Sequence, residues 1–310
     1  MPSFQPAYIE THRKGFLKEK IESAKQMLNC CTLCPRECDV DRLSGDSGIC
    51  KTQDKALVSS YNSHFGEEAP LVGRNGSGTI FFTHCNLMCN FCQNYDISHE
   101  GHGQVVIAEQ LAQIMLQLQN IGCHNINFVT PSHVVAQILS ALEIAVENGL
   151  SVPLVYNTGG YDKVETLELL DGVFDIYMPD FKFWDSDIAE KTCNAKDYPE
   201  IAKKAFVEMH RQVGDLVIDE NGIAQRGLLV RHLVLPKDHA DTREVMGFLA
   251  RKISPDTYVN IMSQYRPCGR AAEIKDLIRP ISDKEFQQAI EAAREAGITR
   301  LDRPRRVFMF

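Results

Sequence analysis

The sequence lacks the features of a membrane, a secreted or a nucleic-acid-binding protein. No hydrophobic run approaches the roughly 20 residues that cross a bilayer. The opening segment MPSFQPAYIETHRK contains no apolar stretch of the kind that a signal peptide needs. Basic residues are scarce as well: 33 Lys and Arg face 41 Asp and Glu, and the formal charge of −8 disfavours binding to phosphate backbones. We therefore expect a cytoplasmic protein that binds neither a membrane nor nucleic acid.

Several common catalytic motifs are also missing. The sequence has no P-loop, no G-x-G-x-x-G turn and no nucleophile elbow, so nothing in it points to a dinucleotide-binding enzyme or a serine hydrolase. It has no internal repeat and no low-complexity segment. Hydrophobic residues make up 44% and charged residues 24%, which excludes a disordered or fibrous chain. The 310 residues can form one large domain or two smaller ones.

Cysteine is abundant instead. The chain contains 11 cysteines, an odd number, and eight of them lie between residues 30 and 92. Thiols stay reduced in the cytoplasm, so a framework of disulfides is disfavoured. The crowding of thiols in one part of the chain favours metal binding or redox chemistry.

From residue 78 onwards, short apolar strands alternate with helices. The predicted strands cover 79–83, 125–130, 152–158, 174–179, 228–235 and 258–262. This alternation indicates an α/β fold with a parallel sheet, and six strands suit an open or partial (β/α)6 barrel. We expect two parts: residues 1–77, with one amphipathic helix over 1–29 followed by a Cys-rich extension, and the barrel over 78–310. Chemistry in such folds takes place at the carboxyl ends of the strands.

The first of these strand ends carries three cysteines at a C-x3-C-x2-C spacing: Cys85, Cys89 and Cys92. Three thiolates on one short loop can each bind one iron of a four-iron cluster, which leaves the fourth iron open to another ligand. Zinc is the alternative, and it would need a fourth ligand such as His84 or a remote residue. We favour the iron–sulfur cluster.

This loop resembles the signature of the radical S-adenosylmethionine (SAM) enzymes, including the aromatic residue, here Phe91, before the last cysteine. The resemblance implies that Cys85, Cys89 and Cys92 hold a [4Fe–4S] cluster and that the open iron binds SAM. Reductive cleavage of SAM would yield a 5′-deoxyadenosyl radical, which abstracts a hydrogen atom from the substrate. The cluster and SAM would carry the chemistry, so we expect no separate catalytic side chain.

Within that superfamily the chain is most similar to the pyruvate formate-lyase activating enzyme-like branch, which activates glycyl radical enzymes. The turn at 157–160, the strand end at 177–182 and the strand at 229–236 resemble motifs of this type, as do C-x2-C-P-R-x-C near the start and G-S-G-T-I-F-F before the loop. The resemblance implies that SAM contacts come from six residues: Phe91, Asn157, Thr158, Asp180, Lys182 and Arg231. The sequence departs from the type at Thr130, where a Gly-Gly-Glu segment is usual, and at Asn157, where an Asp is usual.

The same resemblance implies the partners. A glycyl radical enzyme would be the substrate, and a flavodoxin or ferredoxin would donate the electron. Two alternatives stay open at this point: radical modification of a small molecule or another peptide, and a zinc-binding interaction protein without catalysis.

A second set of cysteines precedes the barrel. Its members are Cys31, Cys34, Cys38 and Cys50. Four thiolates on a turn-rich segment suit either a tetrahedral zinc site or an auxiliary iron–sulfur cluster. Such a segment has little apolar content of its own, so a bound metal would order it.

Overall fold

All six predicted strands form one parallel series in the computed structural model, which describes residues 4–302. The strands are β1 (Ala56–His64), β2 (Ser77–Phe82), β3 (Gln104–Val106), β4 (Ile126–Val129), β5 (Leu154–Thr158), β6 (Ile176–Pro179), β7 (Val217–Ile218), β8 (Ala224–Leu233) and β9 (Tyr258–Met262). The order along the sheet is β3-β1-β2-β4-β5-β6-β8, with β7 and β9 both paired to β8. Each neighbouring pair among β2, β4, β5, β6, β8 and β9 is parallel. The predicted α/β partial barrel is confirmed, and it is open.

Helices flank this sheet. They are α1 (Ala7–Arg13), α2 (Phe16–Gln26), α3 (Ala69–Val72), α4 (Tyr95–Ser98), α5 (Ala108–Asn120), α6 (Val135–Glu147), α7 (Val164–Leu169), α8 (Ser186–Cys193), α9 (Tyr198–Val213), α10 (Thr242–Phe248) and α11 (Asp283–Glu295). The last begins at the capping box that Ser282 forms with Glu285. No helix in the part of the chain described here is long and apolar enough to span a bilayer.

The N-terminal helix is divided, contrary to the single helix predicted over 1–29. Gly15 has a φ of 82°, a conformation that glycine adopts without strain, and it separates α1 from α2. The helix α1 docks beneath the sheet, because the Ala7 N–H donates to Asp175 Oδ1 (2.8 Å) and the Tyr8 hydroxyl to the Val152 carbonyl (2.9 Å). The boundary between 77 and 78 stays a prediction.

The concave face of the sheet contains an element with no counterpart among the predicted ones. The four-residue helix α3 inserts Leu71 into an apolar cluster with the strand residues Val155, Ile176, Met178 and Leu229. All five side chains are fully buried. This plug packs against the strands inside the open barrel, and the cavity described below lies at the carboxyl ends of the strands.

Candidate functional site

The three-cysteine loop follows β2 and lies at the carboxyl edge of the parallel strands. Cys85, Cys89 and Cys92 line a cavity of about 250 Å³, called the main cavity below. The backbone N–H of Leu87 donates to Cys85 Sγ over 3.3 Å, so the loop already directs a donor at one of the sulfur atoms. Met88 in the loop (φ 58°) and Thr130 on the cavity wall (φ 62°) adopt the left-handed backbone conformation, which is strained for residues other than glycine.

The donor set fits a four-iron cluster. Among residues 4–302, no group of three or more Cys, His, Asp or Glu side chains is arranged around a single metal ion. A cluster, however, binds each cysteine through a different iron, so the three sulfur atoms need to face one cavity without converging on one point. Burial raises the pKa of the Cys85 thiol to about 12, so cluster binding would have to displace protons from the loop.

A charged wall stands opposite the loop, built by Asp180 and Lys182 after β6 and by Arg231 on β8. All three line the main cavity. Arg231 Nε donates to Asp180 Oδ1 over 2.7 Å, and Lys182 Nζ forms an ion pair with Asp180 Oδ2. Burial alone would raise the pKa of Asp180, but the two cations outweigh it and hold that pKa below its ordinary value. Asp180 is therefore a carboxylate at neutral pH.

The turn after β5 completes this wall with Asn157 and Thr158, which line the same cavity. Asn157 Oδ1 accepts a hydrogen bond from Arg231 Nη2 at 2.8 Å. The Thr158 hydroxyl donates to the buried carboxylate of Asp162 at 2.6 Å and lies 3.1 Å from the Ser132 hydroxyl. Both side chains are thus held by fixed partners.

Phe91 gives the main cavity an apolar side. Its ring packs edge-on against Phe183 and Tyr265, with centroid distances of 5.9 Å in both cases. All nine residues to which the sequence assigned the first cluster or SAM therefore lie around one cavity, although they come from four different strand ends. Their individual roles remain predictions.

Two glutamates with buried side chains lie under this wall, and they are not among the residues to which the sequence assigned the cluster or SAM. Glu67 Oε2 lies 3.6 Å from Arg231 Nη1, and Glu68 Oε1 accepts from Asn260 Nδ2 over 2.8 Å. Burial raises the pKa of Glu68 to about 7 and also raises that of Glu67. They belong to the segment before α3, and the sequence there has no hydrophobic periodicity from which the burial of two acidic residues could be predicted.

Cys193 is the other unassigned neighbour. It ends α8, and its sulfur lies 3.3 Å from Cys89 Sγ. The proton that Cys89 shares with Cys193 in this contact, together with burial, raises the pKa of Cys89 well above its ordinary value. Cys193 stands alone in the sequence, 104 positions from Cys89, so only the fold brings the two thiols together.

The four N-terminal cysteines also meet. Cys31, Cys34, Cys38 and Cys50 line a second, nearly filled cavity of about 10 Å³, called the four-thiol cavity below. Two arginines, Arg36 and Arg42, share its walls. Arg42 is 1% exposed, and the partners of its guanidinium are the carbonyl oxygens of Gln53 and His133 and the sulfur of Cys31, with no carboxylate among them in the described residues.

Comparison with known proteins agrees with this geometry. A profile of the Radical SAM superfamily matches residues 79–220. The uncharacterized protein MJ0674 of Methanocaldococcus jannaschii is 32% identical over 301 residues, which cover 94% of this chain and 82% of that protein. A solved structure of native anSMEcpe with bound AdoMet is 10% identical with a TM-score of 0.45; the match covers 69% of this chain and 57% of that one, too distant a likeness to support a conclusion. The chain belongs to the same family as that archaeal protein, and its residues 79–220 form a Radical SAM superfamily domain, a type of domain that uses SAM and a [4Fe–4S] cluster.

Proposed function

We propose that the protein cleaves SAM at a [4Fe–4S] cluster held by Cys85, Cys89 and Cys92 and uses the radical to activate a glycyl radical enzyme. The observation that carries the first half is the gathering of three thiols, Asp180, Lys182 and other polar groups around one cavity. When bound, the cluster supplies the electron that splits SAM, and the resulting 5′-deoxyadenosyl radical removes a hydrogen atom from the substrate.

The side chains of the wall would bind and orient SAM. Lys182 and Arg231 supply positive charge for its carboxylate, and the ionised Asp180 holds both cations in place. Phe91 supplies an apolar surface on the same cavity. Enclosure by protein groups would limit the access of water to the radical.

The second half, a protein substrate, draws support from the open sheet. Strands β1 and β9 stand far apart in the strand order and do not pair with each other. The rim of the main cavity carries polar side chains from the loops after β2 and β9, where Gln93 Nε2 donates to the Gln264 carbonyl over 3.0 Å. A flexible glycine-containing loop of another protein suits such an opening, and a flavodoxin or ferredoxin would donate the electron from the same cytoplasmic compartment.

The chemistry is tested by anaerobic reconstitution, reduction with dithionite and measurement of 5′-deoxyadenosine. We expect turnover by the wild type and by Cys123→Ala, a matched control at a buried cysteine that does not line the main cavity. We expect none from the Cys85→Ala/Cys89→Ala/Cys92→Ala variant. A protein that verifiably holds a four-iron cluster yet leaves SAM intact would contradict the proposal.

The substrate class is tested separately, with a co-produced protein that carries a glycyl loop. Activation would give that partner the electron paramagnetic resonance (EPR) doublet of a glycyl radical. Formation of 5′-deoxyadenosine without such a signal would reject this partner and favour a small molecule or another peptide.

We also propose a metal centre in the four-thiol cavity, either zinc, for which the four sulfur atoms would have to draw together around one ion, or a second iron–sulfur cluster, which binds each thiolate through a different iron. A fully buried guanidinium without a counter-charge is costly, and thiolates bound to a metal would supply the negative charge that Arg42 lacks. Metal and sulfide analysis of the Cys85→Ala/Cys89→Ala/Cys92→Ala variant distinguishes the two: zinc without sulfide indicates a zinc site, and iron with sulfide indicates a cluster.

A further inference from the structure

The four-thiol cavity and the main cavity lie on either side of one short segment of chain. Asn86 lines the four-thiol cavity, whereas its neighbours Cys85 and Leu87 line the main cavity. Asn86 is 3% exposed, and its Nδ2 donates to the Tyr161 carbonyl over 2.7 Å. A displacement of this segment on one side therefore changes the wall of the other cavity.

Arg36 bridges the two sites directly. It stands between Cys34 and Cys38, two positions from each, so a metal bound by these thiols would fix its backbone from both sides. Its guanidinium then reaches the cluster loop: Nε donates to the carbonyl of Asn86 (2.9 Å) and Nη2 to that of Leu87 (3.3 Å).

The same guanidinium also binds the end of α8. It donates to the carbonyls of Cys193 (2.8 Å) and Asn194, and it lies over the ring of Tyr161 at 5.1 Å. Because Asn90 of the cluster loop donates its N–H to the Thr192 carbonyl (2.8 Å), Arg36 and Asn90 join the loop to α8 at adjacent points. Within the described residues no carboxylate is among the partners of Arg36, so its permanent charge is stabilised by carbonyl dipoles.

We propose that Arg36 is a positioning residue that transmits metal occupancy of the four-thiol site to the loop carrying Cys85, Cys89 and Cys92. Without the N-terminal metal, the segment around Arg36 loses its order, the four carbonyl contacts are lost, and the loop becomes mobile before it can take up its own cluster. This inference rests on the proposed N-terminal metal. It does not depend on the nature of the radical substrate.

The test measures hydrogen exchange of the peptide covering 84–92 in the full chain, with the N-terminal metal in place and before the cluster of Cys85, Cys89 and Cys92 is assembled. We expect Arg36→Met to speed exchange of this peptide at least tenfold and to halve the iron bound after reconstitution, while the N-terminal metal content stays at the wild-type level. Arg13→Met, which removes an exposed arginine paired with Glu10, should leave all three values unchanged.

A double variant separates transmission from two independent effects. Cys34→Ala, which weakens the N-terminal site, should speed exchange of the same peptide, and adding Arg36→Met should speed it no further. Three results would each overturn the proposal. They are exchange rates whose increases multiply in the double variant, unchanged exchange in Arg36→Met, and loss of the N-terminal metal from Arg36→Met. If circular dichroism shows that Arg36→Met does not fold, Arg36→Lys replaces it. We expect Arg36→Lys to speed hydrogen exchange of the 84–92 peptide at least threefold, and unchanged exchange would overturn the proposal.

These measurements require neither SAM nor turnover. A failure of the positioning role would therefore be distinguished from a failure of the proposed radical chemistry, which appears only in the 5′-deoxyadenosine assay. The reciprocal variant Cys85→Ala/Cys89→Ala/Cys92→Ala should retain the N-terminal metal, because the proposed transmission runs from the four-thiol site to the loop. Loss of the N-terminal metal from this variant would contradict the proposed direction of transmission, from the four-thiol site to the loop.

Discussion

The hydroxyl of Tyr198 ties together two of the strand ends that form the main cavity. Tyr198 is fully buried at the start of α9. Its oxygen accepts the backbone N–H of Lys182 (2.9 Å) and lies within donating distance of the carbonyls of Asp180 (2.9 Å) and Gly159 (3.0 Å). Tyr198→Phe removes one oxygen atom from this junction and preserves the ring that packs beneath it.

The expected loss follows from the bonds that disappear. Each net hydrogen bond contributes about 1 kcal/mol, and a buried N–H left without an acceptor costs about 1–3 kcal/mol. Tyr198→Phe should therefore lower the free energy of unfolding by about 2–4 kcal/mol. Tyr8→Phe is the matched control, because Tyr8 is equally buried but donates a single bond, to the Val152 carbonyl, and should cost about 1 kcal/mol.

Urea unfolding measures both free energies, and anaerobic calorimetry measures SAM binding to the reconstituted protein. Tyr198→Phe should weaken SAM binding because it loosens the backbone that carries Asp180 and Lys182, whereas Tyr8→Phe should not. Equal losses of stability in the two variants, or unchanged SAM affinity in Tyr198→Phe, would refute the idea that this hydroxyl holds the strand ends in register.

Three further predictions test other parts of the structure. In cluster-free protein exposed to air, peptide mass spectrometry should find a disulfide between Cys89 and Cys193, whose sulfur atoms are 3.3 Å apart, and Cys193→Ala should leave Cys89 as a free thiol. Burial raises the folded-state pKa of Asp175 to about 7, so the native state holds this proton more tightly than the unfolded state does. The free energy of unfolding of the wild type, measured relative to that of Asp175→Asn, should therefore fall by at most about 4 kcal/mol as the pH rises from about 4 to 7. If urea titrations show that the difference between the two proteins does not change with pH, the prediction is contradicted. Gly160→Ala should cost at least about 2 kcal/mol by thermal unfolding, because φ is 77° and the new Cβ would lie 2.4 Å from the Asp180 carbonyl oxygen.

The parallel strands could be predicted because each of them is a short apolar run of neighbouring residues. The strand predicted at 258–262 has the observed bounds, and the strand predicted at 125–130 is observed one residue shorter at each end, as Ile126–Val129. Short apolar runs buried on both faces require helices between them, and parallel connections bring every carboxyl end to the same edge. For this reason the motif positions 157–158 and 180–182 meet the cysteine loop without any long-range signal in the sequence.

The missed features depend on tertiary contacts. The plug α3 spans only Ala69–Val72, too short for a helical period, and its burial follows from the open sheet above it. Because that plug was not predicted, neither was the burial of Glu67 and Glu68. The proximity of Cys193 to Cys89 likewise depends on where α8 ends against the loop.

The buried glutamates bear on why this cavity would suit SAM. Two cations, Lys182 and Arg231, face three carboxyl groups, those of Asp180, Glu67 and Glu68. Burial raises the pKa of both glutamates, that of Glu68 to about 7, so Glu68 carries only part of a negative charge at neutral pH. SAM carries a sulfonium, an ammonium and a carboxylate, with one net positive charge. The two cations of the wall could therefore pair with the carboxylate of SAM, while Asp180 and the partly ionised glutamates beneath them offset part of the positive charge.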